Sequence, residues 1–331
     1  MGYKVIDGKV IIPDGVTKIE EWAFSGCSSL KSIEIPNSVT EIGASAFQGC
    51  TSLKSIEIPD SVTWIADKAF EGCTSLQSIE IPNSVIVIGK ATFDGCISLR
   101  SIKIPNGVTE IETEAFQGCA SLQSIEIPSS VIVIREAAFN GCTSLQSIEI
   151  PDSVTEIGPM AFSGCTSLQS FAIPDSATVI YGSAFIRCDN LTSIIVSKNN
   201  PEYKSTNNCM LTKDGKELIL CRSHNIPDGV TKIGRWAFDG CTSLQSIVIP
   251  DSVTTIAHNA FCDCISLQSI TIATQEKRPD MSREKIEYLL QELSEYLKEI
   301  SLRVPIGCGY AYRHHTAFEG KFKNIIADID A

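Results

Sequence analysis

Fourteen cysteines are the first residues of this 331-residue chain to question, because thiols can bind metal, attack electrophiles or pair. Ten of them fall in one register: Cys27, Cys50, Cys73, Cys96, Cys119, Cys142, Cys165, Cys188, Cys241 and Cys264. Stacked in an array, their Cα atoms would lie about 5 Å apart with parallel Cβ vectors, leaving Cβ atoms wider apart than the roughly 3.5–4.5 Å of a disulfide. Zinc needs convergent ligands, and a linear row does not converge. The row therefore reads as structural thiols, small hydrophobes of a core, and neither a metal nor a cofactor is expected. Cys308, His314, His315 and Glu319 have the residue types of an activated thiolate, yet no family signature surrounds them and nearness in sequence is not geometry. A P-loop, a Gly-rich dinucleotide fingerprint and a zincin motif are all missing from the sequence. No catalytic residue is assigned, and an enzyme is not expected.

Charge gives a second pattern. One position per repeat reads Glu34, Glu57, Glu80, Lys103, Glu126 and Glu149, and three residues earlier stand Lys31, Lys54 and Arg100 among glutamines. Like charges at strand spacing repel, and Lys103 between Glu80 and Glu126 relieves part of that cost. These nine residues are a candidate binding strip for a protein partner with a basic surface; the rival reading is a soluble default residue copied by duplication. A third pattern lies where Thr-Glu turns apolar, at Trp64, Ile86 and Val87 and again at Ile132-Val133 and Thr178-Val179. Trp64, Ile86 and Val87 form a candidate exposed patch, although β-branched residues are also ordinary in strands.

The elements that must position these side chains come from a repeat. Pro13, Pro36, Pro59, Pro82, Pro105, Pro128, Pro151 and Pro174 are each 23 residues apart, and the pattern resumes at Pro227 and Pro250. Phenylalanines run in the same register from Phe24 to Phe261. Within the unit Leu30–Thr51, Leu30, Ile33 and Ile35 alternate with Ser32 and Glu34, the period of a short strand with one buried face. Pro36 ends it, Asn37-Ser38 is turn chemistry, and Val39 with Ile42 gives a second extended arm. Ala46, Phe47 and Cys50 then predict a helical or 3₁₀ turn facing inward. One such unit cannot bury its own apolar face, but stacked neighbours can.

The pattern LxxIxIPxSVxxIGxxAFxxC resembles the BspA-type class of leucine-rich repeats, over roughly residues 3 to 273. Ser38, Ser61, Ser84 and Gly107 stand where most leucine-rich repeats carry Asn, as this class has it. The resemblance implies adhesion and the binding of host or partner macromolecules, and a cell-surface or secreted location. Ten reduced cysteines, and an opening MGYKVIDGKVII without a long apolar region or cleavage site, pull instead toward the cytoplasm.

The expected fold is an α/β solenoid: a curved leucine-rich-repeat superhelix with a parallel β-sheet on its concave face, one β-hairpin interruption and a C-terminal helical cap. Its parts are an N-terminal cap (1–12), eight repeats (13–196), the hairpin insertion (197–226), two further repeats (227–273) and a C-terminal helix and tail (274–331). Ser282 as N-cap and Ile286, Leu289, Leu290, Leu293, Leu297 and Ile300 at helical spacing predict that helix. It would cover the last sheet edge or join two copies, so the chain reads as a monomer or a homodimer through this helix. A net charge of −12 argues against nucleic acid, and no apolar stretch reaches the length of a membrane span. The function expected is a non-catalytic interaction scaffold or, alternatively, a surface adhesin.

Overall fold

The computed structural model describes residues 5–273, 301–305 and 324–329. It divides into two compact units, Met1–Leu191 and Thr192–Ala331.

In the first unit each repeat makes one turn of a β-solenoid. Ser55–Glu57, Ser78–Glu80, Ser101–Lys103 and Ser124–Glu126 form a four-stranded parallel sheet, and Lys9–Ile11 pairs in parallel with Ser32–Glu34. In every one of these strands the middle apolar residue is buried and its two neighbours are exposed. Proline follows the strand because it has no N–H for a ladder, and its carbonyl closes the next turn, as Pro59 does by accepting from Val62 N at 3.0 Å.

The second arm of each repeat makes strands of two residues. Lys18–Ile19, Glu41–Ile42, Trp64–Ile65 and Val87–Ile88 form one parallel sheet, and Glu110–Ile111, Val133–Ile134, Glu156–Ile157 and Val179–Ile180 another. Between the arms a serine ladder ties each turn to the one before. Ser38 Oγ donates to the carbonyl of Val16 at 2.7 Å, Ser61 to Val39 at 2.6 Å and Ser84 to Val62 at 2.7 Å.

The third side of the turn overturns the α/β assignment. Among the described residues the single helical element is the 3₁₀ turn Gly182–Phe185. The reason is visible in how the N–H groups are spent. In the second repeat Ala46, Gln48 and Cys50 donate locally, to Gly43, Ser45 and Phe47, while the alternate residues Ser45, Phe47 and Gly49 donate to Asp67, Ala69 and Glu71 of the next turn. A helix needs consecutive donors directed down its own axis, so this division excludes it. Left-handed φ angles, +53° at Ser45 and +69° at Gly49, complete the break.

Inside these three walls the core is a set of ladders. Phe47, Phe70, Phe93 and Phe116 are fully buried, with ring centroids 5.2–5.6 Å apart and interplanar angles of 1–7°. Each thiol from Cys50 to Cys188 is buried and donates to the carbonyl of the phenylalanine one turn back, as Cys96 does to Phe70 at 3.2 Å.

The second unit opens on an antiparallel meander. Tyr203–Thr206 pairs with Cys209–Thr212 across Asn207-Asn208, both in left-handed conformation, and Cys209–Thr212 pairs with Glu217–Cys221. A disulfide joins the directly paired Cys209 and Cys221. Glu217–Cys221 then pairs in parallel with Lys232–Ile233, which pairs with Thr255–Ile256, so the meander takes the place of a repeat in that sheet.

The end of this unit corrects a second expectation. The helix read from Ser282 through Ile300 lies outside the described residues, but Ser301, near which that helix is expected to end, begins the strand Ser301–Pro305. Ser246–Ile249, Ser269–Ile272, Ser301–Pro305 and Asn324–Ile329 form one parallel sheet. The edge of the last repeat is therefore covered by strand pairing, which satisfies its N–H and C=O groups directly. A homodimer through a C-terminal helix is withdrawn with the helical cap, since no described element can carry it.

Candidate functional site

From Ser32–Glu34 to Ser124–Glu126 the outward positions of the three-residue strands are Ser and an acidic or basic residue, because alternation sends only the central isoleucine to the core. Lys31, Glu34, Lys54, Glu57, Glu80, Arg100, Lys103, Glu126 and Glu149 are all exposed. The register brings the strip together: Glu57 is directly opposite Glu80, and Lys103 is directly opposite Glu126. Glu149 sits at the equivalent point of the next turn, where no strand is assigned, so it lies beyond the paired sheet. Among the described residues no salt bridge involves these nine side chains, whereas Lys18–Glu41 at 2.8 Å and Arg135–Glu110 at 2.7 Å neutralise charge elsewhere on the unit.

The sheet face is hollowed. A shallow depression of about 650 Å³ lies over Ser32, Glu34, Ser55 and Glu57, and a second of about 600 Å³ over Ser78, Glu80, Ser101, Lys103 and Glu126. Asp60 lines both and Asn37 and Asn83 line one each. From the sequence alone Asn37 reads as turn chemistry. The residue after each proline is the signal that finds them, since it follows the strand end and stays on the same side. Chemically the face offers unpaired carboxylates, serine hydroxyls and the four cations Lys31, Lys54, Arg100 and Lys103, a surface for polar recognition.

The second candidate patch is partly assembled. Trp64 is directly opposite Val87, and Trp64 and Ile86 are 48% and 56% exposed, while Val87 is half-buried. Ile132 and Val179, 47% and 43% exposed, continue the apolar positions along the unit.

Cys308, His314, His315 and Glu319 lie outside the described residues. Among the described residues one group could hold a metal: Asp239, Cys262 and Asp263 of the last two repeats, with ligand atoms within 4.8 Å of one another. Two carboxylates and one thiol on neighbouring turns commonly sit together without an ion, and no metal is assigned to them. No helix among the described residues is long and apolar enough to cross a membrane.

Comparison with known proteins places the fold. No curated protein matches the chain. A solved leucine rich cell surface protein from Faecalibacterium prausnitzii is 25% identical over 98% of this chain and 88% of its own, with a TM-score of 0.60. A leucine-rich repeat protein from Bacteroides ovatus is 26% identical over 96% and 92%, with a TM-score of 0.53. The leucine-rich repeat protein of T. pallidum reaches 38% identity over 49% of this chain and 78% of its own, with a TM-score of 0.46. The family model described as BspA type leucine rich repeat region (6 copies) matches residues 7–123, 109–213 and 217–289, most of the chain. The solenoid is a non-enzymatic scaffold for binding, and the chain belongs to the BspA-type leucine-rich repeat family.

Proposed function

We propose that the protein is a surface-displayed adhesin that holds a basic macromolecule on the sheet face of its first unit. The observation that carries this is the row of exposed, unpaired carboxylates at Glu34, Glu57, Asp60 and Glu80 over hollowed sheet. A charged face of this kind speeds encounter and excludes partners of like charge. The display is supported by likeness to the F. prausnitzii cell surface protein and by the Cys209–Cys221 disulfide, a bond that persists in oxidising surroundings. The buried thiol ladder does not oppose it, because sealed thiols are shielded from oxidants.

Antibody labelling of intact cells of the source checks the location, and labelling only after permeabilisation would place the protein inside. For the face, the macromolecule captured by the wild-type chain is measured against Glu57→Lys/Glu80→Lys. The double reversal is expected to weaken binding by roughly tenfold or more, since buried or half-buried charge pairs are each worth about 1.5 kcal/mol or more. Equal binding by both moves the site off the strip. A second reading has its own observation, the exposed Trp64 beside Ile86 and Val87. If Trp64→Ala loses the partner while the charge reversal does not, that patch is the binding surface.

A further inference from the structure

The second unit holds a group of thiols unlike the ladder of the first. From Cys50 to Cys188 every ladder thiol is buried and spends its S–H on a phenylalanine carbonyl. Cys241 is stacked on the meander instead, and its Sγ donates to the carbonyl of Cys221 at 3.4 Å. The guanidinium of Arg222 donates to that same Sγ through Nη1, also at 3.4 Å. Cys264 stands at the same register position on the next turn, and its Sγ donates to the carbonyl of Phe238 at 3.1 Å. Both cysteines are only partly buried.

A guanidinium at hydrogen-bond distance from the sulfur favours its thiolate. The neighbouring Cys264 thiol and then the Arg222 guanidinium hold the Cys241 thiol below the ordinary value, against burial and the Asp239 carboxylate, and Cys241 in turn holds Cys264 up. Burial alone acts the other way on the sealed ladder, where Cys50, Cys96 and Cys142 are pushed up to about 12.

We infer that Cys241 is a reactive thiol that takes small disulfides as co-reactants, with Cys264 as the thiol that resolves the product. In the first step the Cys241 thiolate attacks one sulfur of R–S–S–R; a new S–S bond forms, the old one breaks, and RS⁻ leaves. In the second, Cys264 gives its proton to solvent and attacks the Cys241 sulfur. A bond forms between the two turns, and a second RS⁻ leaves and takes up a proton. The pair loses two electrons and the external disulfide gains them, yielding two RSH. Stacked turns leave Cβ atoms outside the disulfide range, so the Cys264 turn must move toward Cys241 by about an ångström for the bond to form. The turn that carries Cys264 belongs to the last repeat, whose strand Ser269–Ile272 pairs with Ser301–Pro305. The bond would staple the last two repeats, so the second unit would record the thiol–disulfide state around it.

The test is the rate and stoichiometry of thiol release from dithiobis(nitrobenzoate) by the native full chain purified without reductant. The expected fast phase releases two nitrothiolates per chain, leaves no adduct, and maps by peptide mass spectrometry to a Cys241–Cys264 bond. In Cys264→Ser one nitrothiolate is released and the adduct stays on Cys241. Arg222→Gln slows the phase by about fivefold below neutral pH, where the thiolate fraction limits the rate, and less at alkaline pH. Arg222→Lys, which keeps the charge, recovers most of the rate. A fast phase that maps to Cys308, or to Cys27 or Cys262, the other partly buried free thiols among the described residues, overturns the proposal. So does a chain that releases nothing until it is denatured. The wild-type map stands even if a variant misfolds.

Discussion

The serine at the start of each second arm shows how much one side chain does in an array. Its hydroxyl reaches a valine carbonyl on the previous turn at 2.6–2.7 Å in six repeats, a length typical of a strong O–H···O bond. Position 107 carries glycine instead, and a Cβ there would meet the Cγ2 of Ile86 at 3.0 Å. The ladder is therefore a sum of separate bonds, one of which the middle of the first unit does without at Gly107. Ser84→Ala is expected to lower the stability of the first unit by about 1 kcal/mol, the net worth of one such bond. Urea unfolding followed by circular dichroism reads the change, and a loss near zero would mean that water replaces the hydroxyl at Val62. The serine position was legible in the sequence because it departs from the asparagine of other repeat classes. Its partner was not, because a carbonyl on another turn leaves no mark in residue types.

At the scale of the element, the same locality explains what the sequence yielded and what it withheld. Strands were readable because Leu30, Ile33 and Ile35 alternate within one copy, and every copy repeats the pattern. The turn at Ala46–Cys50 was misread as partly helical because its apolar spacing fits a helix equally well. What decides is the export of the Ser45, Phe47 and Gly49 donors to the next turn, a property of stacking. The candidate strip was legible as charges but not as a hollow, and the Arg222–Cys241 contact was hidden because Arg222 lies where the repeat register is broken. The thiol ladder has a measurable consequence as a set. Burial pushes Cys50, Cys96 and Cys142 up to about 12, from an ordinary thiol value near 8.5 in the unfolded chain. A pKa raised by folding means the folded state keeps its proton longer. This stabilisation is complete below about 8.5 and is lost as pH rises toward 12. For Cys96 alone the loss between pH 7 and pH 10 is on the order of 2 kcal/mol. The urea midpoint should fall across that range, and should fall less in Cys96→Ala, which has no thiol to ionise. An identical fall in both would assign the alkaline loss to other groups.

For the whole molecule, the relevant quantity is a net charge of −12 with one row of its carboxylates ordered on the sheet face of the first unit. Neighbouring glutamates such as Glu57 and Glu80 repel across a strand gap, so the empty face is electrostatically unfavourable. A basic partner relieves that repulsion on arrival, which places the electrostatic gain in the encounter as well as in the complex. Strands pinned by the buried isoleucines hold the backbone of the strip in place, so the ordering cost at binding is confined to the glutamate side chains. The partner captured by the wild-type chain should therefore associate at a rate that falls steeply with salt. Screening shortens the reach of the field from about 10 Å at 0.1 M to about 3 Å at 1 M. Between those concentrations the association rate should drop by roughly tenfold or more, while dissociation changes far less. Glu57→Lys/Glu80→Lys should flatten that dependence. Stopped-flow or surface plasmon resonance separates the two rates. An association rate indifferent to salt would take the acidic face out of recognition and leave the apolar positions around Trp64 as the surface that meets the partner.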